Sequence, residues 1–170
     1  MDVPVLVARL KSGSQVFRVL FAAVPEERVR WKPGPDKWSA LEVAAHLLDE
    51  EREDFRARID RLLHAPDTAW PPIDPEGWVA ARDYAGRDFE ETVAAFLEER
   101  TRSVDWLAGL EAPDWDSVYR HPQLGDLRAG DLLASWVAHD ALHVRQLAAL
   151  AWEAARDSAA PYRPDYAGPW

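Results

Sequence analysis

The amino-acid sequence predicts an all-α protein, a four-helix bundle. Three observations carry that expectation. Four long segments repeat apolar residues at spacings of three and four, the period of a helix with one buried face. Alternating, strand-like patterning is almost absent between them. The prolines, 13 in 170 residues, gather outside the interiors of these segments.

The first segment covers residues 4–23. Pro4 suits an early helical position, where its missing N–H costs nothing. Leu6, Leu10, Gly13, Phe17 and Leu20 form one packing face, and Pro25 with Pro33-Gly34-Pro35 then interrupts the helix. The second segment, 39–63, has the clearest start. Ser39 and Glu42 make a capping-box pattern, and Trp38 before the cap can pack on Val43. Its stripe is Leu41, Ala44, Leu48, Phe55, Ile59 and Leu62.

Residues 64–85 hold four prolines and Gly77, so they read as a long connection with room for a helical turn near Trp78. Connections of this length are uncommon in a compact domain, and either serve function or cap the bundle. The third helix spans 87–107, with Phe89, Val93, Phe96, Val104 and Leu107 inward. Pro113, Pro122 and Gly125 mark another irregular stretch before the fourth helix at 128–155. One domain over 1–158 and an irregular tail at 159–170 complete the expected layout.

Composition narrows the chemistry. The chain has no cysteine, which excludes a disulfide, a zinc–thiolate site and a cysteine nucleophile of its own. A formal net charge of −10 argues against a broad nucleic-acid surface. No apolar run is long enough for a membrane span and no signal-peptide pattern opens the chain, so a cytoplasmic protein is expected. Nine tryptophans are many for this length; some must be core residues, and several could wall a pocket.

His139 and His143 stand four residues apart on the fourth helix, close enough for both imidazoles to reach one metal ion. His143 falls inside the apolar stripe of Leu132, Trp136, Leu147 and Leu150, and His139 at its edge. The spacing alone is a weak signal, and the alternative is a pair of hydrogen-bonded helix histidines. Asp140 and Ala141 follow His139, so the glutamate of a zinc-protease motif is missing. His46, near the start of the second helix, is the best candidate for a third ligand. It lies off the main apolar stripe and shares a face with Glu50 and Glu53, so the pattern leaves its direction open. His64 and His121 sit near loops.

Three motifs carry a family resemblance: WSALEVAAHL at 38–47, HPQLG at 121–125 and LASWVAHDALHVRQ at 133–146. In this order and helical context the chain resembles the DinB-like, or YfiT-like, family of metal-dependent enzymes, over about residues 4–155. The resemblance implies a four-helix bundle with one histidine from helix two and two from helix four. His46, His139 and His143 match those positions, and the match directs His46 inward. It also implies a homodimer and, for some members, a low-molecular-weight thiol such as bacillithiol or mycothiol as cosubstrate.

Three imidazoles leave coordination positions open for water or substrate, and they suit nickel, zinc or iron alike. A bound divalent ion lowers the pKa of water or of a thiol. The expected function is therefore a metal-dependent small-molecule enzyme, a hydrolase or a thiol S-transferase. The alternative is a non-catalytic, metal-stabilised bundle that senses or stores a ligand. A third reading, a DNA-damage partner, has only the family name behind it. Asp140 and Glu50 are the candidate catalytic carboxylates. Asp140 could orient a ligand imidazole, bind a water or make a structural bond across the bundle, and Glu50 and Glu53 fit solvated surface as well as proton transfer. Arg145 and Gln146 could hold an anionic substrate, cap the site or form surface ion pairs.

Overall fold

In the computed structural model, which describes residues 2–168, six α-helices and one hairpin follow the chain, with three short 3-10 turns among them. They are α1 (Val3–Ala22), α2 (Ala40–Glu53), α3 (Phe55–His64), α4 (Pro75–Ala81), α5 (Phe89–Ala108), β1 (Val118–His121), β2 (Gly125–Arg128) and α6 (Ala129–Ser158). The bundle's four long members are α1, the α2–α3 pair, α5 and α6. α1 packs on α5 and α6, α2 on α5, and α3 on α6. No described helix is long and apolar enough to cross a membrane. The final two residues of the expected tail, Pro169 and Trp170, lie outside the described residues.

Local chemistry sets the helix starts. Asp2 accepts from the Val5 amide at 3.1 Å, with Pro4 in the first turn of α1. The Ser39–Glu42 capping box forms as its pattern predicts: Ser39 Oγ accepts from the Glu42 amide at 3.3 Å, and Glu42 Oε2 accepts from the Ser39 amide at 2.8 Å. Asp74 and Asp88 cap α4 and α5 by accepting from the amides of Gly77 and Glu91, at 3.0 and 2.9 Å.

Two features depart from the expected layout. The second helix is not continuous over 39–63. It breaks at Asp54, whose φ of −112° and ψ of −96° end α2 and begin α3. The break redirects the chain, so that α2 lies along α5 and α3 along α6. Asp54 is held there by Arg58 Nε at 2.6 Å. The stretch before α6, expected to be irregular, contains a hairpin in which Val118 pairs with Arg128 and His121 with Gly125. Gly125 takes a φ of +76°, a conformation that favours glycine. Ser117 Oγ donates to the Leu62 carbonyl at 2.7 Å and ties the hairpin's base to the end of α3.

The core has two apolar halves. One gathers Leu10, Phe55, Ile59, Leu62, Val104, Leu107, Leu133 and Trp136. The other gathers Phe17, Phe21, Val43, Ala44, Leu47, Phe96 and Leu147. Between them lies a buried polar layer centred on Arg100, whose side chain is 1% exposed. Arg100 Nε donates to Glu51 Oε1 at 2.5 Å, and its two terminal nitrogens donate to Asp140 at 2.6 and 2.8 Å. A further bond from Arg100 Nη1 reaches the Leu10 carbonyl at 3.4 Å. Ser103 Oγ and Trp136 Nε1 also donate to Glu51, at 2.7 and 3.1 Å. Burial pushes the Glu51 carboxyl up, against the pull of Arg100 and Ser103. Gly13 on α1 faces this layer. A methyl group there would stand 2.7 Å from Asp140 Oδ2.

The crossover between α3 and α5 is clamped to α2 through Asp49. This carboxylate accepts from Tyr84 Oη at 2.8 Å, Arg82 Nη1 at 3.0 Å and Arg87 Nη2 at 3.3 Å. Trp78 and Tyr84 are buried against Ala45, and the Arg82 guanidinium lies 3.9 Å over the Trp78 ring. The helical turn expected near Trp78 is α4.

Gly13→Ala is expected to lower stability by about 1–3 kcal/mol, because the new methyl must displace a bidentate ion pair that has no slack. The check is urea unfolding: the midpoint should fall with the slope unchanged.

Candidate metal centre

Three positions on α2 and α6 build the centre. His46 sits on the second turn of α2, just beyond the Ser39 cap, and is 4% exposed. His139 and His143 lie on successive turns of α6, and His143 is 8% exposed. His46 therefore points inward, as the family resemblance implied and the apolar pattern alone left open. The imidazoles converge: His46 Nε2 is 3.3 Å from His139 Nε2, and His139 Nε2 is 3.0 Å from His143 Nε2. One ligand atom from each lies within 4.8 Å of the other two. Among the described residues this donor set contains three imidazoles and no carboxylate.

The spacing fits a single ion. Two nitrogens bound to one ion at about 2.0–2.1 Å stand about 2.9 Å apart at a right angle and about 3.4 Å apart at a tetrahedral angle. The observed separations fall in that range. Protonation agrees with it. Burial, with His143 adding and Asp49 opposing, lowers the His46 pKa to about 3. Burial, with His143 and His46 adding, lowers that of His139 to about 2. Burial also lowers His143, against its bond to Gln146. All three rings are thus neutral near pH 7, with lone pairs available to a cation.

Neighbours hold the rings in place. His143 Nδ1 donates to Gln146 Oε1 at 2.8 Å, which leaves Nε2 as the free acceptor facing His139. Trp38 lies 4.8 Å from the His46 ring and nearly parallel to His143, at 8° and 6.4 Å. Phe55 stands 5.2 Å from His139 and stacks on Trp136 at 7°. The centre opens on a cleft of about 860 Å³, walled by Trp38, Leu142, Leu150 and Pro75, with Lys37, Arg145 and Gln146 among its polar residues.

The other residues named from sequence are distributed differently. Asp140 is buried with both oxygens on Arg100, so it makes the structural bond across the bundle and lines no part of the cleft. Glu50 is buried rather than solvated, with Oε1 3.9 Å from His46 Nδ1. Burial pushes its carboxyl up to about 9, with Asp54 and Asp49 adding and Arg58 opposing. Glu53 stays on the surface and pairs with Arg82. Gln146 orients His143, while Arg145 lies exposed on the cleft. His64 bonds its own helix at the Asp60 carbonyl, and His121 Nδ1 accepts from the hairpin-turn amides of Gln123 and Leu124. Trp38, expected as a helix staple, packs against the cluster that holds Val43 and also covers the histidines. Glu51, Arg100 and Ser103 were not singled out from sequence, although each apolar stripe skips the position that one of the first two fills.

The model of the DinB superfamily matches residues 9–147. No curated protein matches the chain. Among solved structures, YfiT from Bacillus subtilis, "a probable metal-dependent hydrolase with an unusual four-helix bundle topology", superposes with a TM-score of 0.80 at 17% identity, over 91% of this chain and 88% of that one. TT2238, a four-helix bundle protein, superposes with a TM-score of 0.61 at 19% identity, over 87% and 99%. At these identities the likeness establishes the fold.

The depressed histidines set a pH dependence. The unfolded chain protonates them near pH 6.5 and the folded chain does not, so the metal-free protein loses their contribution as pH falls below about 6.5. His139→Leu should flatten that loss by about 1–2 kcal/mol between pH 6.5 and 5, one proton's worth. Urea midpoints of both proteins across this window provide the comparison, and parallel curves would contradict a buried neutral His139.

Proposed function

The chain belongs to the DinB superfamily, and from that premise we propose that it is a metal-dependent small-molecule enzyme whose divalent ion is held by His46, His139 and His143. The observation that carries this reading is a three-imidazole donor set with no carboxylate in it, at the foot of an 860 Å³ cleft. A purely structural site would be closed by a fourth protein ligand. Three imidazoles beside a cleft leave room for a reacting molecule, which weighs against the non-catalytic sensor or storage bundle.

When bound, the ion supplies Lewis acidity that makes water, or a thiol brought from outside, nucleophilic near neutral pH. Hydrolysis is the leading reaction class, supported by the fold shared with YfiT and its description as a probable metal-dependent hydrolase. In a chain without cysteine, thiol transfer would need a low-molecular-weight thiol as cosubstrate. Nickel, zinc and iron are all compatible with imidazole.

The protein's own residues supply the setting. Gln146 fixes the His143 tautomer, and Trp38 and Phe55 hold the rings in apolar contact and limit water around them. Leu142, Leu150 and Pro75 offer apolar surface to the body of a substrate. This reading assigns Asp140 to holding Arg100 and not to proton transfer. The setting is a cytoplasmic homodimer acting on small molecules. The net charge of −10 supports the absence of nucleic acid from that list.

Untagged protein should carry close to one divalent ion per chain by elemental analysis, and His46→Ala and His139→Ala should each lose it. Full occupancy in either variant would sink the ligand set. With the ion loaded, ester and amide panels with and without added thiol separate the two chemistries: turnover without thiol supports hydrolysis, and turnover only with thiol supports transfer.

A further inference from the structure

Glu50 follows His46 by one helical turn on α2. Both residues are 4% exposed. Two polar atoms of this pair, His46 Nδ1 and Glu50 Oε1, are fully buried with no hydrogen-bond partner among the described residues. They face each other at 3.9 Å, just beyond hydrogen-bond reach. An orphaned polar atom in a protein interior is costly, and two orphans aimed at one another share a single remedy.

The opposite edge of the same ring indicates what that remedy serves. His46 Nε2 faces His139 at 3.3 Å and belongs to the convergent donor set. An imidazole that gives its Nε2 lone pair to a cation must carry its hydrogen on Nδ1, and that hydrogen needs an acceptor. On α6 the requirement is already met, because His143 donates from Nδ1 to Gln146, three residues later, at 2.8 Å. On α2 the corresponding acceptor is present one turn later but stands about 1 Å too far away, as expected from the hydrogen-bond range.

Two other roles for Glu50 fit less well. As a further ligand it would have to reach the Nε2 side of the ring, whereas it meets the Nδ1 side and is not part of the donor set. As a proton carrier for substrate it would have to reach the cleft, whose lining does not include it.

We infer that Glu50 is a positioning residue that accepts the Nδ1–H of His46 when a cation is bound, and so fixes the tautomer and direction of the α2 ligand. This inference rests on the metal reading above. It leaves Glu50 Oε1 unpartnered in the metal-free protein, in a carboxyl crowded by Asp54 and Asp49, and gives that oxygen a bond only in the loaded one. Removing it should therefore move metal affinity and metal-free stability in opposite directions, which a merely structural carboxylate would not do.

The test uses the full chain stripped with chelator, with zinc titrated in competition with a chromophoric chelator. Glu50→Leu should melt, metal-free, no lower than the wild type, yet bind zinc about 10–100-fold more weakly, the usual cost of losing such an acceptor. Glu50→Gln, whose carbonyl can accept the same hydrogen, should lie between them. Unchanged zinc affinity in Glu50→Leu, or a joint fall in affinity and metal-free stability, would overturn the inference and leave the metal site standing. Should Glu50→Leu not fold, the His46 Nδ1–H resonance of the zinc-loaded protein decides the question: a shift in Glu50→Gln supports the bond, and an unmoved resonance refutes it. A wild type that takes up no zinc, nickel or iron would overturn the proposed function itself.

Discussion

The fold turns on one buried guanidinium. Arg100 sits between the two apolar halves and must be met by Glu51 from α2, Asp140 from α6 and the Leu10 carbonyl from α1. Burying such a cation is tolerable only when nearly every N–H has an acceptor, and losing one partner from such a group typically costs about 3–5 kcal/mol. Apolar contacts tolerate a sliding helix more readily than this network does. A one-turn slip of any member would strand a charge in the core, so the polar layer fixes the register of four helices at once.

That register also places the histidines. Asp140 is the neighbour of His139 and lies three residues before His143, and Glu51 lies five residues after His46. Whatever aligns Glu51 and Asp140 around Arg100 brings α2 and α6 to the separation at which the imidazoles converge. The metal centre and the salt-bridge layer are thus adjacent parts of one stratum: the first touches the cleft, and the second is sealed. The division explains why Asp140, so close in sequence to two ligands, is spent on the scaffold.

Much of this was legible in the sequence, and the limits have physical causes. The capping box, the prolines and the apolar stripes give the bundle because each reports a local requirement. The stripes held a further signal in their gaps. Apolar positions skip from Leu48 to Phe55, from Phe96 to Val104 and from Trp136 to Leu147. Glu51, Arg100, and Asp140 with His143 fill those gaps at helical steps of three and four, and all are buried. Such residues look like breaks in a pattern until the partners on other helices are known. The Asp54 break was invisible because no proline or glycine marks it and the hydrophobic period runs through it. The hairpin strands are four residues each and partly exposed, too short to show alternation. Glu50 read as surface because a lone glutamate almost always is.

The convergence of His46 with His139 joins positions 93 residues apart in a chain that has no cysteine. An ion shared between them would act as a cross-link. By the chain-entropy relation for closing a loop of that length, such a link disfavours the unfolded chain by about 4.6 kcal/mol. The effect resembles that of a disulfide, with one difference: a coordination staple opens and closes with metal supply and needs neither oxidant nor reductant. Metal availability would then govern how long the bundle persists as well as what it can do.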